Sequence, residues 1–172
     1  MIRIRRKWRA AFICLLIAAF VCVFLVDPFI RCMSLRHQIL SKLDGSSAVR
    51  VVEHSSPFDL DQLRDHRSSY KEITFSTITP SAEQISHLRS AFAPQLDYWG
   101  TVGFQKYCAS VAHHRIEIDR GDATVLRIEI CFHCGELRID DQRVRSLPLG
   151  WDSNLREFIT SIGLHPDGPW KK

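Results

Sequence analysis

The sequence lacks a serine set among glycines as in a nucleophile elbow, and it lacks a glycine-rich loop of the kind that cradles phosphate. Serine-hydrolase and P-loop nucleotide chemistry therefore have no residues to work with. It also has no internal repeat and no low-complexity tract, which sets aside solenoid and fibrous architectures. Charge of one sign is not in excess along the body of the chain. The 23 Lys and Arg against 19 Asp and Glu leave a formal charge of +4, and five of the basic residues, Arg3, Arg5, Arg6, Lys7 and Arg9, precede residue 10. Elsewhere bases and acids are interleaved, so no nucleic-acid partner is implied.

Only one long hydrophobic run is present, the seventeen uncharged residues Ala10 to Val26. As a helix it covers about 25 Å, a little under the ~30 Å of a hydrocarbon core, and Phe29 and Ile30 extend the apolar character beyond Asp27-Pro28. A cleaved signal peptide needs small residues before the cleavage point, yet Ala18-Ala19 is followed by Phe20 to Val26 with no small pair before Asp27. Cys14 and Cys22 come after the bulky Ile13 and Val21, which does not suit a lipoprotein site. The expectation is an uncleaved single-pass anchor. The basic head keeps the N-terminus in the cytoplasm and places the domain C-terminal to the anchor outside it.

Beyond the anchor, Leu35, Ile39 and Leu43 recur at helical spacing, so 31–44 reads as a juxtamembrane helix. The β-branched stretch Ala48 to Glu53 reads as a strand, and Pro57 to Arg64 as a short helical turn after a serine cap. Ile73, Phe75 and the threonines after them form a strand, and Thr79-Pro80-Ser81 starts a helix with Ile85, Leu88 and Phe92 on one face before Pro94. Gln95 to Tyr107 has no periodicity and is a loop. Arg115–Asp119, Thr124–Ile130 and Leu137–Asp140 are strand-like, with a fourth run at Arg143–Leu147. A last helix begins near Asp152, turns Leu155, Phe158, Ile159 and Ile162 inward, and ends at Gly163. The fold class is α+β: an N-terminal transmembrane helix, then a small domain of strand, helix, antiparallel strands and helix. The divisions are 1–9 basic head, 10–26 anchor, 27–69 juxtamembrane segment and linker, 70–165 α+β domain, and 166–172 tail.

Arg115 to Ile130 reads as a hairpin turning at Arg120-Gly121-Asp122, a common turn composition, so an adhesion tripeptide is not inferred. Ile116 and Ile118 must share a face with Leu126, Ile128 and Ile130. Pairing Ile118 with Leu126 meets that condition and sets Glu117 opposite Arg127 and Arg115 opposite Glu129. A slip of two residues either way opposes like charges. The favoured register places His113 across from Cys131. After Cys131 the inward positions change from even to odd, at Leu137 and Ile139, so an irregularity falls in Phe132-His133-Cys134-Gly135, with a bulge or tight bend at Gly135.

The set Cys108, His113, Cys131 and Cys134 then has the ligand count and softness of a closed Cys3His zinc site, without a standard zinc-finger spacing. Outside the cytoplasm, oxidation of Cys131 with Cys134, or of Cys108, is the competing outcome. A redox Cys-x-x-Cys assisted by His113 or His133 is a third reading, although such motifs usually open a helix after a strand. Buried cysteines with no chemistry are a fourth.

The stretch from about Tyr70 to Gly163, with Cys-x4-His, the turn, Ile-Cys-Phe-x-Cys and a final amphipathic helix ending in glycine, resembles a group of uncharacterised bacterial lipoproteins and membrane-anchored domains. In that group Pro-Arg usually precedes the histidine; this chain has Val111-Ala112. The resemblance supports the selection of Cys108, His113, Cys131, Phe132 and Cys134 and implies no activity. The expected function is a membrane-anchored extracytoplasmic binding or assembly module with a protein partner and a structural zinc or disulfide. A thiol-redox or metal-dependent enzyme at the same residues is the alternative.

Overall fold

A computed structural model describes residues 2–21, 27–56, 71–93, 111–140, 142–144 and 149–168. Helix α1 is Ile2–Val21, α2 Asp27–Asp44, α3 Ala82–Ala91 and α4 Leu149–Ser161; the strands are β1 Ala48–His54, β2 Thr74–Ile78, β3 His114–Arg120, β4 Ala123–Cys131, β5 Glu136–Ile139 and β6 Gln142–Val144. The turn expected at 57–64 and the loop expected at 95–107 lie outside the described residues.

The strands form one antiparallel sheet in the order β2-β1-β3-β4-β5-β6. Its apolar row is built by register. Val51 pairs Ile116, which pairs Ile128, which pairs Ile139, while Val49, Ile118 and Leu126 form the row beside it. All seven are buried, together with Ile39 and Leu43 of α2, Leu88 and Phe92 of the α3 end, and Trp151, Leu155, Phe158 and Ile159 of α4. The stretch 27–69 therefore supplies a core helix and an interior strand. A β-branched strand such as Ala48–His54 exposes unpaired backbone groups unless neighbours flank it on both sides, and β2 and β3 do so.

The other face of the sheet carries the charge. Arg50 lies beside Glu117 on β3, which lies beside Arg127 on β4. Arg50 reaches Glu117 at 3.0 Å and Asp119 at 2.9 Å, and Arg115 donates to Glu117 at 2.8 Å and to Glu72 at 2.9 Å. The Arg50 guanidinium, with a further hydrogen bond from Thr124, holds the Asp119 carboxyl below its usual range. The register is the expected one, Ile118 with Leu126, Glu117 with Arg127 and Arg115 with Glu129. The charge pairing differs in detail: Arg115 turns to Glu117 and Glu72, and Arg127 stays 4.0 Å from Glu117. Gly121, at φ +62, takes the first central position of the two-residue turn, where a side chain is strained.

The two framing helices are set by local chemistry. Ser81 caps α3 through a reciprocal capping box with Gln84. At the end of α4, Gly163 at φ +85 allows its N–H to reach Thr160 O at 3.0 Å and Leu164 N–H to reach Ile159 O at 3.1 Å, the two bonds of a Schellman stop. The helix begins at Leu149, three residues before the expected start near Asp152.

The transmembrane helix expected over 10–26 runs past the described residues. Among the described residues no helix is long and apolar enough to cross a membrane. Helix α1 takes the basic head into its first two turns, and its described apolar part is Ala10 to Val21, about 18 Å of helix. Residues 22–26 lie outside the described set. Pro28, whose position after Asp27 reads as a break, sits in the first turn of α2, where its missing N–H costs nothing.

Candidate functional site

The hairpin from β4 to β5 decides the site. Cys131 pairs with Glu136, leaving Phe132-His133-Cys134-Gly135 as a four-residue loop. An even-length loop makes even positions face odd ones across the hairpin, which is the physical origin of the phase change: Ile130 pairs Leu137 and Ile128 pairs Ile139. Gly135 at φ +64 provides the tight bend.

Cys131, at the end of β4, is 1 % exposed and is a free thiol. Cys134 is disulfide-bonded, and its sulfur lies 3.1 Å from that of Cys131, whose S–H is directed at it. Cys14 and Cys32 are also free, and the sequence holds two further cysteines, Cys22 and Cys108. Both of these lie outside the described residues, as does the placement expected for Cys108. The ladder between β3 and β4 ends at His114 opposite Ile130. His113 and Cys131 are the next positions beyond it. His113 is half-buried, and its carbonyl accepts from the His54 N–H at 2.9 Å. The described residues contain no group of three or more His, Cys, Asp or Glu side chains able to hold a metal ion. A disulfide-bonded Cys134 has no thiolate to offer one.

A shallow pocket of about 330 Å³ opens beside the turn, lined by Val111, His113, His114, Phe132, His133 and Asp167 among others. Its lining includes three histidines and one aromatic ring. His114 is 1 % exposed and meets the Phe132 ring edge-on at 5.2 Å. Burial, reinforced by the neighbouring His113 and His54, pushes the His114 imidazole down to about 3, so it is neutral at pH 7.

Arg156 of α4 clamps the turn. It donates to the Phe132 carbonyl, sits 4.9 Å above the Phe132 ring, and is oriented by Asp152 at 3.1 Å and Asp167 at 2.6 Å. The Asp152–Arg156 spacing of four is a helical pairing signal in the sequence, but its target, a carbonyl 24 residues away, has no sequence signal. Arg156→Ala is expected to destabilise the chain by about 1–3 kcal/mol, from the lost charge-assisted bond and cation–π contact. Urea unfolding measures this, with faster amide exchange confined to 131–135. Lysine at 156 should restore only part, because an ammonium cannot serve the carbonyl, the ring and two carboxylates together. The sequence pattern singles out none of Arg156, His114, His54 and Asp167 as site residues.

No protein-family model, no curated protein and no solved structure matches this chain.

Proposed function

We propose that the protein is a membrane-anchored, extracytoplasmic binding module that engages a protein partner through the pocket beside the Cys131–Cys134 turn. The observation that carries this reading is the pocket itself: a concave site lined by three histidines and by Phe132, which Arg156 contacts at its carbonyl and its ring, at one end of the sheet. Binding groups on a loop fixed by a scaffold are the usual arrangement for recognition.

Two further features support the location. The disulfide at Cys134 suits an oxidising compartment. Phe12, Ile13, Leu15, Leu16, Ile17 and Phe20 are each more than half exposed, a helix surface matched to lipid directly after a basic head. The apolar sequence continues through Val26. A structural zinc at Cys108, His113, Cys131 and Cys134 then belongs to the reduced chain only.

Two measurements on the full chain test this. Alkaline phosphatase fused after Lys172 should be active, and a fluorescent protein that folds only in the cytoplasm should be dark; the reverse pattern overturns the topology. A photo-crosslinker at the exposed position 133 should give one discrete adduct in the native membrane, absent from position 127 on the charged sheet face. Equal labelling from both positions, or none, rejects the pocket as the binding surface.

The Cys131 thiol beside a bonded Cys134 favours one second reading, thiol chemistry at the same turn.

A further inference from the structure

The charged face of the sheet is sorted by depth. The side chains of Glu117, Asp119 and Glu129 are between 9 % and 18 % exposed, whereas those of Arg50, Arg127 and Arg138 are between 39 % and 45 % exposed. Side chains on a strand stand roughly perpendicular to the sheet, and an arginine stem carries its charge farther out than a glutamate or aspartate stem does. Residues of both signs along these strands thereby become two layers, acids on the floor and guanidinium groups above them. Arg50, Glu117 and Arg127 follow one another in register across β1, β3 and β4, and Arg138 on β5 stands opposite Glu129. We propose that this face docks on the phosphate headgroups of anionic lipid in the membrane that holds the anchor.

Two of these cations are weakly engaged within the chain. Among the described residues Arg127 comes no nearer to a carboxylate than 4.0 Å, from a Glu117 that Arg50 and Arg115 already hold at 3.0 Å and 2.8 Å, and Arg138 no nearer than 3.8 Å, from Glu129. The exposed acids around them are committed elsewhere. Asp140, beside Arg127, turns its carboxylate to the Arg127 backbone N–H at 2.9 Å, and Glu72 takes two bonds from Arg115 at 2.9 Å. The guanidinium donors of Arg127 and Arg138 are thus left for an anion from outside.

Phosphate is the anion this arrangement fits, because a guanidinium offers paired N–H donors matched to phosphate oxygens. Three of them spread from β1 to β5 form an extended surface, suited to an array of headgroups rather than to one small ion. The tether keeps such an array within reach: α2 begins at Asp27, directly after the apolar run 10–26, and Ile39, already in the core, lies twelve residues and about 18 Å of helix further on. The inference rests on the membrane-anchored reading above, and it adds a second contact to the pocket, which none of the three arginines lines.

The experiment uses the full chain in nanodiscs of phosphatidylcholine alone or of an equal mixture of phosphatidylcholine and phosphatidylglycerol, treated with phenylglyoxal and mapped by mass spectrometry. The basic head attracts anionic lipid too, so the rates are read arginine by arginine. Expected in the mixed discs is about fivefold slower modification of Arg50, Arg127 and Arg138, the fold-change of one arginine held at an anionic surface, and the difference should vanish in high salt. Arg89 of α3, whose side chain is 44 % exposed, should react equally in both. Arg127→Gln with Arg138→Gln should remove the protection of Arg50, and Arg127→Lys with Arg138→Lys should keep it, both with unchanged far-ultraviolet circular dichroism. Equal rates in the two discs at all three arginines overturn the proposal, and protection found only in native membranes overturns it in favour of an acidic protein. Flotation with neutral vesicles in high salt reports the anchor alone: a chain that fails to float rejects the anchored reading, and its arginine rates with mixed vesicles still judge the face.

Discussion

Replacing Trp151 by alanine is expected to lower the unfolding free energy by about 3–5 kcal/mol, among the largest losses of any single substitution in this chain. Trp151 is fully buried, meets Phe92 edge-on with ring centroids 5.0 Å apart, and donates its indole N–H to the Ala93 carbonyl at 3.1 Å. The side chain thus ties α4 to the end of α3 by both packing and a hydrogen bond, and truncation leaves a cavity with an unpaired carbonyl on its wall. Phenylalanine at 151 keeps most of the packing and loses the donor, and should cost less than alanine does. Urea or thermal unfolding of the three chains separates the two contributions. A loss below about 1 kcal/mol for alanine would mean that the α3–α4 contact is not the seat of stability assigned to it.

The second large effect is a dependence on acid. His114 is neutral in the folded chain because burial, with His113 and His54 beside it, opposes its protonation more than Asp167 favours it. Its folded value lies at about 3 and its unfolded value near 6.5. The unfolded chain therefore binds the extra proton as pH falls below 6.5, and stability drains away until the folded group titrates near 3. Above 6.5 the contribution is complete and flat. The expected slope is about 1.4 kcal/mol per pH unit, so between pH 7 and pH 4 the wild-type chain should lose about 3 kcal/mol more than His114→Leu or His114→Phe. Comparing the difference between variant and wild type at each pH removes the common contribution of Asp119 and other carboxylates. Parallel curves for wild type and variants would show that His114 is not held neutral.

Much of the architecture is legible in the linear pattern because it rests on local rules. Alternation along 115–130 and the need to oppose unlike charges fix the β3–β4 register, since any shift by one residue would turn every isoleucine to solvent. Ser81 with Gln84, and Gly163 after a buried stripe, mark helix ends through chemistry that involves only near neighbours. The cysteine and histidine positions that gather near the β4–β5 turn derive from that same register.

What the tertiary structure alone decided lies in contacts between elements distant in sequence. The place of β1 between β2 and β3 comes from long-range pairing, and nothing in Ala48–His54 names its neighbours. The burial of His114 and its suppressed proton affinity require the Phe132 ring, His54 and α4 to converge on it, and strand alternation carries no record of desolvation. The clamp from Arg156 to the Phe132 carbonyl joins a helix to a turn whose backbone acceptor is identical in every residue. The state of the cysteines is of the same kind. Spacing brings Cys131 and Cys134 to one turn, but which sulfur is bonded and which is free depends on three-dimensional reach, and there the bond lies at Cys134 with the free Cys131 against it.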